Sequence, residues 1–407
     1  MMKRILPLLF CATLFGALPA GAENATQNAT NSVTKPAARQ GVKQGIKTNA
    51  DALFSTKPVK KANGAKWRIA YFRSGEYKNY PLNLKALIRG LETLGWLKLT
   101  AEIPENLTGS ALWEFMAKNT QSAYLELLAD AFWEPGDFDA ARRPLVRNAI
   151  HKRLTEKNDI DLIIAMGTWA GQDMVKLNVP VPTIVLSVSD PVGSGVIKSP
   201  EDSGHDNLNA RVYPGRYLEQ VRLFHDIIPF TRLGLIYENT PEGRTYAAID
   251  DVRAAAKQLG FKVITCEAPF AGASIGETEK KAIVCYEKLA KEADAIYVTT
   301  HRATGDGGIK KISSLFRNAK IPSFSMLGAE EVEAGILMSM AQADYSYIGL
   351  FHAETIARVF NGAKPRQLTQ IWADPKKIVL NLKTTRIIGF DPPVDVLLAV
   401  DEVYETR

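Results

Sequence analysis

From residue 66 onward, near-continuous apolar runs alternate with stretches whose apolar residues recur three and four apart. The runs predict strands over Trp67–Phe72, Lys98–Ile103, Asp161–Met166, Pro182–Val188, Leu233–Tyr237, Lys262–Thr265, Ala295–Thr299 and Ser323–Met326. "DLIIAM" and "TIVLSV" lack polar alternation, as strands covered on both faces do. Between the runs, Leu84, Leu87, Ile88 and Leu91 form one helical stripe; Ile249, Val252, Ala256 and Leu259 form a looser one ended by Gly260. Strand and helix repeating in this way predict an α/β protein with parallel sheets and helices on both faces. The two halves are alike: each opens on a strand, "RIAYF" or "RLGLIY", followed by a helix ending in Leu-Gly. Between them, "NLNARVYPGRYLEQVRLFHDIIP" passes from strand to helix character and suits a crossover.

The expected architecture is therefore two doubly wound parallel-sheet lobes joined by crossover hinges. The N-terminal lobe is assigned residues 66–209 plus 344–365, and the C-terminal lobe residues 210–343 plus 366–407. A cleft is expected where the carboxyl ends of their strands meet. Residues 104–144 depart from the simple pattern. Rich in aromatics (Trp113, Phe115, Tyr124, Phe132, Trp133, Phe138), they read as a helical insertion on the first lobe, or as a lid or partner-docking surface, with Leu125, Leu128 and Phe132 at helical spacing.

The N-terminus changes the picture of charge. Lys3 and Arg4 precede an apolar run from Ile5 to Leu18, and Ala20-Gly21-Ala22 offers a cleavage site, so residues 1–22 read as an export signal cut after Ala22. Cys11 as a lipid anchor is disfavoured by the bulky Phe10 before it. Residues 23–65, polar and aperiodic, read as a disordered basic linker. The chain carries a formal charge of +6, but from residue 66 onward it holds 41 cations against 42 acids. The core therefore lacks the basic excess that nucleic-acid binding favours.

Two cysteines follow the signal. Cys266 ends a predicted strand and Cys285 lies in the next helix; an oxidising periplasm would permit pairing, but such neighbours rarely have the geometry, so two buried thiols are expected. Gly193-Ser194-Gly195 lacks the spacing of a dinucleotide fingerprint and no Gly-Lys-Ser/Thr follows. Neither a Gly-x-Ser-x-Gly elbow nor a His-Glu-x-x-His site is present, so no catalytic residue, metal or cofactor is expected.

Several ordered motifs carry a family resemblance: "DLIIAMGTWAGQ", "SVSDPVGSGVIKS", "LGLIYENTPE", "ADAIYVTT", "IPSFSM", "YIGLFHAETIARVFNGAKP" and "KIVLNLKTTRIIGFDPP". From about Trp67 to Val403 the chain resembles the ABC-transporter substrate-binding proteins, whose members include binders of tryptophan and other aromatic amino acids. The resemblance implies the type I periplasmic binding protein fold, a small-molecule solute, an inner-membrane ABC permease as partner, and a monomer without catalysis. A periplasmic sensor subunit is the alternative use of the same fold. The chain departs from the family where Thr299-Thr300-His301-Arg302 and Met326-Leu327-Gly328 stand, at positions that usually face the ligand.

The strand ends supply the candidate site. Gly167, Thr168 and Trp169 open a helix whose N–H groups suit a carboxylate; Trp169 either stacks on the solute or packs against its lobe. Asp190, with Ser187 or Ser189 beside it, either accepts from a solute ammonium or caps the turn before Pro191. Tyr237, Asn239, Thr299 and an exposed His301 occupy the matching ends across the cleft, and Met326 joins them through the resemblance. Arg73, Ser74 and Tyr77 follow the first strand; Arg73 either reads a second carboxylate or is a solvated surface cation.

Overall fold

The computed structural model describes residues 49–342 and 344–405; the expected signal and residues 23–48 of the expected linker lie outside them. A first sheet is built from β1 (Trp67–Arg73), β2 (Leu125–Trp133), β3 (Leu162–Met166), β4 (Thr183–Leu186) and β5 (Leu208–Ala210). Its spatial order is β2-β1-β3-β4-β5, all pairs parallel. A second sheet holds β6 (Arg232–Tyr237), β7 (Lys262–Glu267), β8 (Ala295–Val298), β9 (Ser323–Ser325), β10 (Met338–Gln342), β11 (Lys376–Asn381) and β12 (Glu402–Tyr404). Its first five strands repeat the same winding, β7-β6-β8-β9-β10, and β11 then adds antiparallel to β10. The likeness of the halves seen in sequence is thus a likeness of topology.

After β5 the chain crosses to the second core, where helix Arg216–Ile227 buries Tyr217, Val221 and Phe224. After β10 it crosses back, and helix Ser346–Phe360 buries Ala353, Ile356 and Ala357 in the first core. There it lies against helix Asn79–Thr93, whose Leu84, Leu87, Ile88 and Leu91 face inward as the stripe predicts. The two helices approach closely: a Cβ on Gly349 would stand 2.3 Å from the Ala86 carbonyl oxygen. A third crossing runs beside the first, where Val212 and Ile371 form a parallel bridge.

Three expectations are corrected. The second strand is not Lys98–Ile103, of which only Lys98–Leu99 pairs, as a short antiparallel ladder with Thr120–Gln121. The strand beside β1 is β2, inside the segment expected to be a helical insertion. Along β1 and β2, Ile69 faces Leu127 but Tyr71 faces Phe132. The extra residues on β2 break the period of two, which leaves Leu125, Leu128 and Phe132 at spacing that mimics a helix. Helix Gly109–Lys118 is the helical part of that segment, and its Trp113 indole donates to the Leu128 carbonyl at 2.8 Å.

The second correction concerns the linker. Residues 49–61 are docked on the first lobe as a strap. Asp51, in the short helix Asn49–Leu53, is 3% exposed, its carboxylate accepting from the Thr369 N–H at 3.1 Å and its carbonyl from Arg358 Nε at 3.1 Å. Trp96 Nε1 donates to the Thr56 carbonyl at 2.9 Å, Asn361 Nδ2 to Lys57 at 3.0 Å and Trp67 Nε1 to Val59 at 2.9 Å. Finally, Cys266 and Cys285 form a disulfide with their Cα atoms 5.5 Å apart. Helix Ile275–Glu292 folds straight back onto the strand that precedes it, so the usual objection to strand–helix neighbours does not hold here.

Candidate functional site

Loops at the carboxyl ends of β4, β8 and β9, the loop after β1 and two of the crossovers surround a cavity of about 90 Å³ between the sheets. The first lobe contributes Tyr77, Asn79, Asn83 and Ser187–Ser189; the second contributes Thr300, Met326 and Leu327. The crossovers contribute Arg211, Arg216, Tyr217, Tyr345 and Ile348. Ser187 takes φ +56°, a left-handed conformation rare for a residue with a side chain, which turns the chain sharply off β4 into the wall. Across the cleft, the Tyr217 hydroxyl donates to the Ser189 carbonyl at 3.1 Å.

The charges of the wall come from the first crossover. Arg211 pairs with Asp374, while its Nε is buried without a hydrogen-bond partner. Arg216, half-buried in the first turn of its helix, stands over the Tyr217 ring at 5.6 Å and has no ion-pair partner among the described residues. The Tyr77 hydroxyl is likewise buried and unpartnered, and burial pushes its pKa far above the ordinary phenol value. Near the cavity, the buried Glu331 is held by Lys78 of the first lobe, and its pKa is raised by burial. No Asp or Glu lines the cavity itself. Among the described residues no cluster of His, Cys, Asp and Glu could hold a metal.

A second set of contacts joins the lobes away from the cavity. Phe138, 2% exposed, packs edge-on to Trp169 of its own lobe at 5.5 Å and to Phe270 of the second lobe at 5.2 Å. The guanidinium of Arg302 lies over the Phe138 ring at 5.4 Å, pairs with Asp137, and donates to the Phe270 carbonyl at 3.0 Å and the Ala273 carbonyl at 3.1 Å. Gln172 Nε2 reaches Glu242 Oε1 at 3.2 Å beside this latch.

Of the residues singled out in sequence, Tyr77, Ser187, Ser189 and Met326 line the cavity, as do Thr300 and Leu327 of the two motifs that depart from the family; the others surround it or serve the scaffold. Arg73, 5% exposed, is neither surface cation nor free reader of a carboxylate: it is engaged by Glu134 at 2.5 Å and Glu76 at 2.7 Å. Ser74 accepts from the Ala170 N–H at 3.0 Å and so occupies the helix start where a carboxylate was expected. A Cβ at Gly167, which has φ +94°, would stand 1.9 Å from the Tyr80 hydroxyl. Thr168 is buried beside Tyr246, and Trp169 lies in the latch beneath Arg143 at 4.5 Å. Tyr237 is in the second core, Asn239 is exposed and bonded to Glu267, and Thr299 Oγ1 donates to the Ile236 carbonyl at 2.8 Å.

His301 was expected to be exposed; it is 1% exposed, beneath Phe270, with Nδ1 accepting from the Ala303 N–H at 3.2 Å. Burial lowers its pKa to about 4, so its imidazole is neutral at pH 7. Asp190 does the turn's work. Its Oδ1 accepts from the Gly193 N–H at 2.8 Å, its carbonyl from the Ser194 N–H at 3.0 Å, and Pro191's carbonyl from the Val196 N–H at 2.9 Å. Asp190→Ala is expected to lower stability by about 1 kcal/mol and leave solute affinity within about threefold. Paired thermal melts and titrations check this; a large loss of affinity at unchanged stability would contradict it.

Arg211, Arg216, Tyr217 and Tyr345 also line the cavity and were not singled out in sequence, because they lie on crossovers rather than at strand ends. The signal that finds them is topological: the segments that join two lobes form the back wall of the cleft between them.

Two equivalent doubly wound lobes with a polar cavity between their strand ends define a solute receptor of the type I periplasmic binding protein fold. Residues 139–403 match the family described as ABC transporter substrate binding protein, and the chain belongs to that family of solute binders, which are not enzymes. It is 24% identical over 279 residues to a tyrosine-binding protein of Clostridioides difficile (strain R20291), covering 66% of this chain and 76% of the relative. A Streptococcus pneumonia ABC domain in complex with L-Trp superposes with a TM-score of 0.62 at 21% identity, over 83% of this chain and all of that one. A conserved domain protein of Vibrio cholerae O1 biovar eltor has the same fold, with a TM-score of 0.61 at 20% identity over 83% of this chain and 99% of that one.

Proposed function

We propose that this protein is the periplasmic, monomeric solute-binding component of an ABC importer. It closes two lobes on a small molecule in the cavity between them and presents the closed form to an inner-membrane permease. The observation that carries this is the cavity itself, whose polar wall is drawn from both lobes and from the crossovers between them. The disulfide agrees with export to an oxidising compartment. The solutes of the similar proteins, tyrosine and tryptophan, make organic molecules bearing a carboxylate the first class to try.

Uptake provides the test. Cells lacking the protein are expected to lose uptake of the labelled solute, with uptake restored by the full gene. Normal uptake combined with loss of a solute-dependent signalling response would favour the sensor reading instead. In vitro, a solute at roughly 100 times its Kd should stabilise the protein by about 2.7 kcal/mol.

A further inference from the structure

We infer that the solute is a small organic acid that carries a carboxylate and no ammonium group. The inference rests on the cavity being the solute site and concerns only what that site selects.

The charges of the wall decide the class. Among the described residues, the only charged side chains on the wall are Arg211 and Arg216. Asp374 pairs with Arg211 and acts on Arg216 from farther off, so two guanidiniums share one carboxylate and one positive charge is left over. A half-buried guanidinium without a carboxylate is a costly arrangement unless a ligand completes it. Its planar fork matches a carboxylate with two parallel hydrogen bonds. Arg211 Nε and the Tyr77 hydroxyl add two further buried groups without partners. Arg216 begins a helix whose N-cap, Gly215, provides no side-chain cap, so the positive end of that helix adds to the same field.

The opposite charge has no reader. An α-ammonium inside this cavity would meet serines, asparagines and tyrosines but no carboxylate. Asp190, the residue that could have served, is outside the wall with its Oδ1 committed to Gly193. An amino acid could place its carboxylate on Arg216, but its ammonium would be desolvated unpaired beside two guanidiniums. The deaminated acid of the same skeleton avoids that cost.

Matched pairs test this: 3-(4-hydroxyphenyl)propanoate against L-tyrosine, indole-3-propanoate against L-tryptophan, 4-methylpentanoate against L-leucine, and propanoate against L-alanine. Each is titrated calorimetrically into the intact protein and screened by thermal shift at about 10 mM, which suffices for millimolar affinity. In at least one pair the acid is expected to bind about 30-fold or more tightly than its amino acid, as an unpaired buried charge requires. Arg216→Met should abolish that binding, while Arg216→Lys, which keeps the charge but not the fork, should retain part of it. An amino acid that binds as well as its acid overturns the inference, as does a panel in which no acid raises the melting temperature. Thr300→Trp, which fills the cavity from the other lobe, separates the two levels. If it abolishes binding of a preferred amino acid, the site stands and the inference falls; if it leaves binding intact, the site itself is wrong. Should Arg216→Met fail to fold, the matched pairs and Arg216→Lys still decide.

Discussion

A chain that begins at Ala62 is expected to melt roughly 10 °C below one that begins at Asn49, although residues 49–61 contain no core strand and only one short helix. Their removal leaves the Trp96 indole N–H, which is fully buried, without the Thr56 carbonyl, and deprives Arg358 of Asp51. It also exposes the Thr369 N–H, the Asn361 amide and the Trp67 indole. A buried donor left without its acceptor costs about 1–3 kcal/mol. Water reaches the outer positions once the strap is gone, so the total is on the order of 4 kcal/mol. At about 2–4 °C per kcal/mol for a domain of this size class, the shift is near 10 °C. Differential scanning calorimetry of the two chains reads it directly. Equal melting temperatures would mean that the strap is not part of the folded unit.

Phe138→Ala is expected to weaken solute binding without touching the cavity. Phe138 is pinned between Trp169 of the first lobe and Phe270 and Arg302 of the second, on a backbone with φ +56° that a bulky residue adopts only when its surroundings hold it there. Truncating a buried Phe to Ala costs about 3–5 kcal/mol. The part due to Trp169 is lost from the first lobe in every state. The part due to Phe270 and Arg302 is lost only from the state in which the lobes touch, so it subtracts from the free energy of closure. Assigning about 1.5 kcal/mol to that part predicts a roughly tenfold rise in Kd, together with a lower melting temperature. Titration and melting of the same variant check both. Lower stability with unchanged affinity would show that the latch stays engaged whether or not solute is bound.

Most of the architecture was legible because buried parallel strands are apolar without alternation. "DLIIAM" and "TIVLSV" emerge as β3 and β4, and "RLGLIY" as β6. What escaped did so for specific reasons. The edge strand β2 was hidden by its irregular register against β1, which gave Leu125, Leu128 and Phe132 the spacing of a helix. The strap was hidden because its carbonyls at Thr56, Lys57 and Val59 make three of its bonds, and backbone acceptors leave no mark on composition. The disulfide was discounted on a general rule about neighbouring elements that this strand–helix pair does not obey.

At the site, proximity to strand ends found the region but not the chemistry. Tyr77, Ser187, Ser189 and Met326 reached the wall, whereas Thr168, Thr299 and His301 are buried outside it, where their polar atoms serve the scaffold. A strand end points toward the cleft, but which of its residues enters the cavity depends on the turn that follows. Ser187, at φ +56°, is such a turn. Arg211 and Arg216 carried no motif of their own; only the crossing of the chain between lobes brings them to the cavity.

The central claim is that solute binds between the lobes, and Ser189→Trp tests it most directly. Ser189 lines the cavity and is half-buried, so an indole there occupies the solute's space while leaving both cores intact. Wild-type and variant protein are compared by calorimetric titration with whichever solute stabilises the wild type most. The expected result is an unliganded melting temperature within about 2 °C of wild type and no detectable binding. Wild-type affinity in a folded Ser189→Trp protein would contradict the claim and place the solute elsewhere on the molecule.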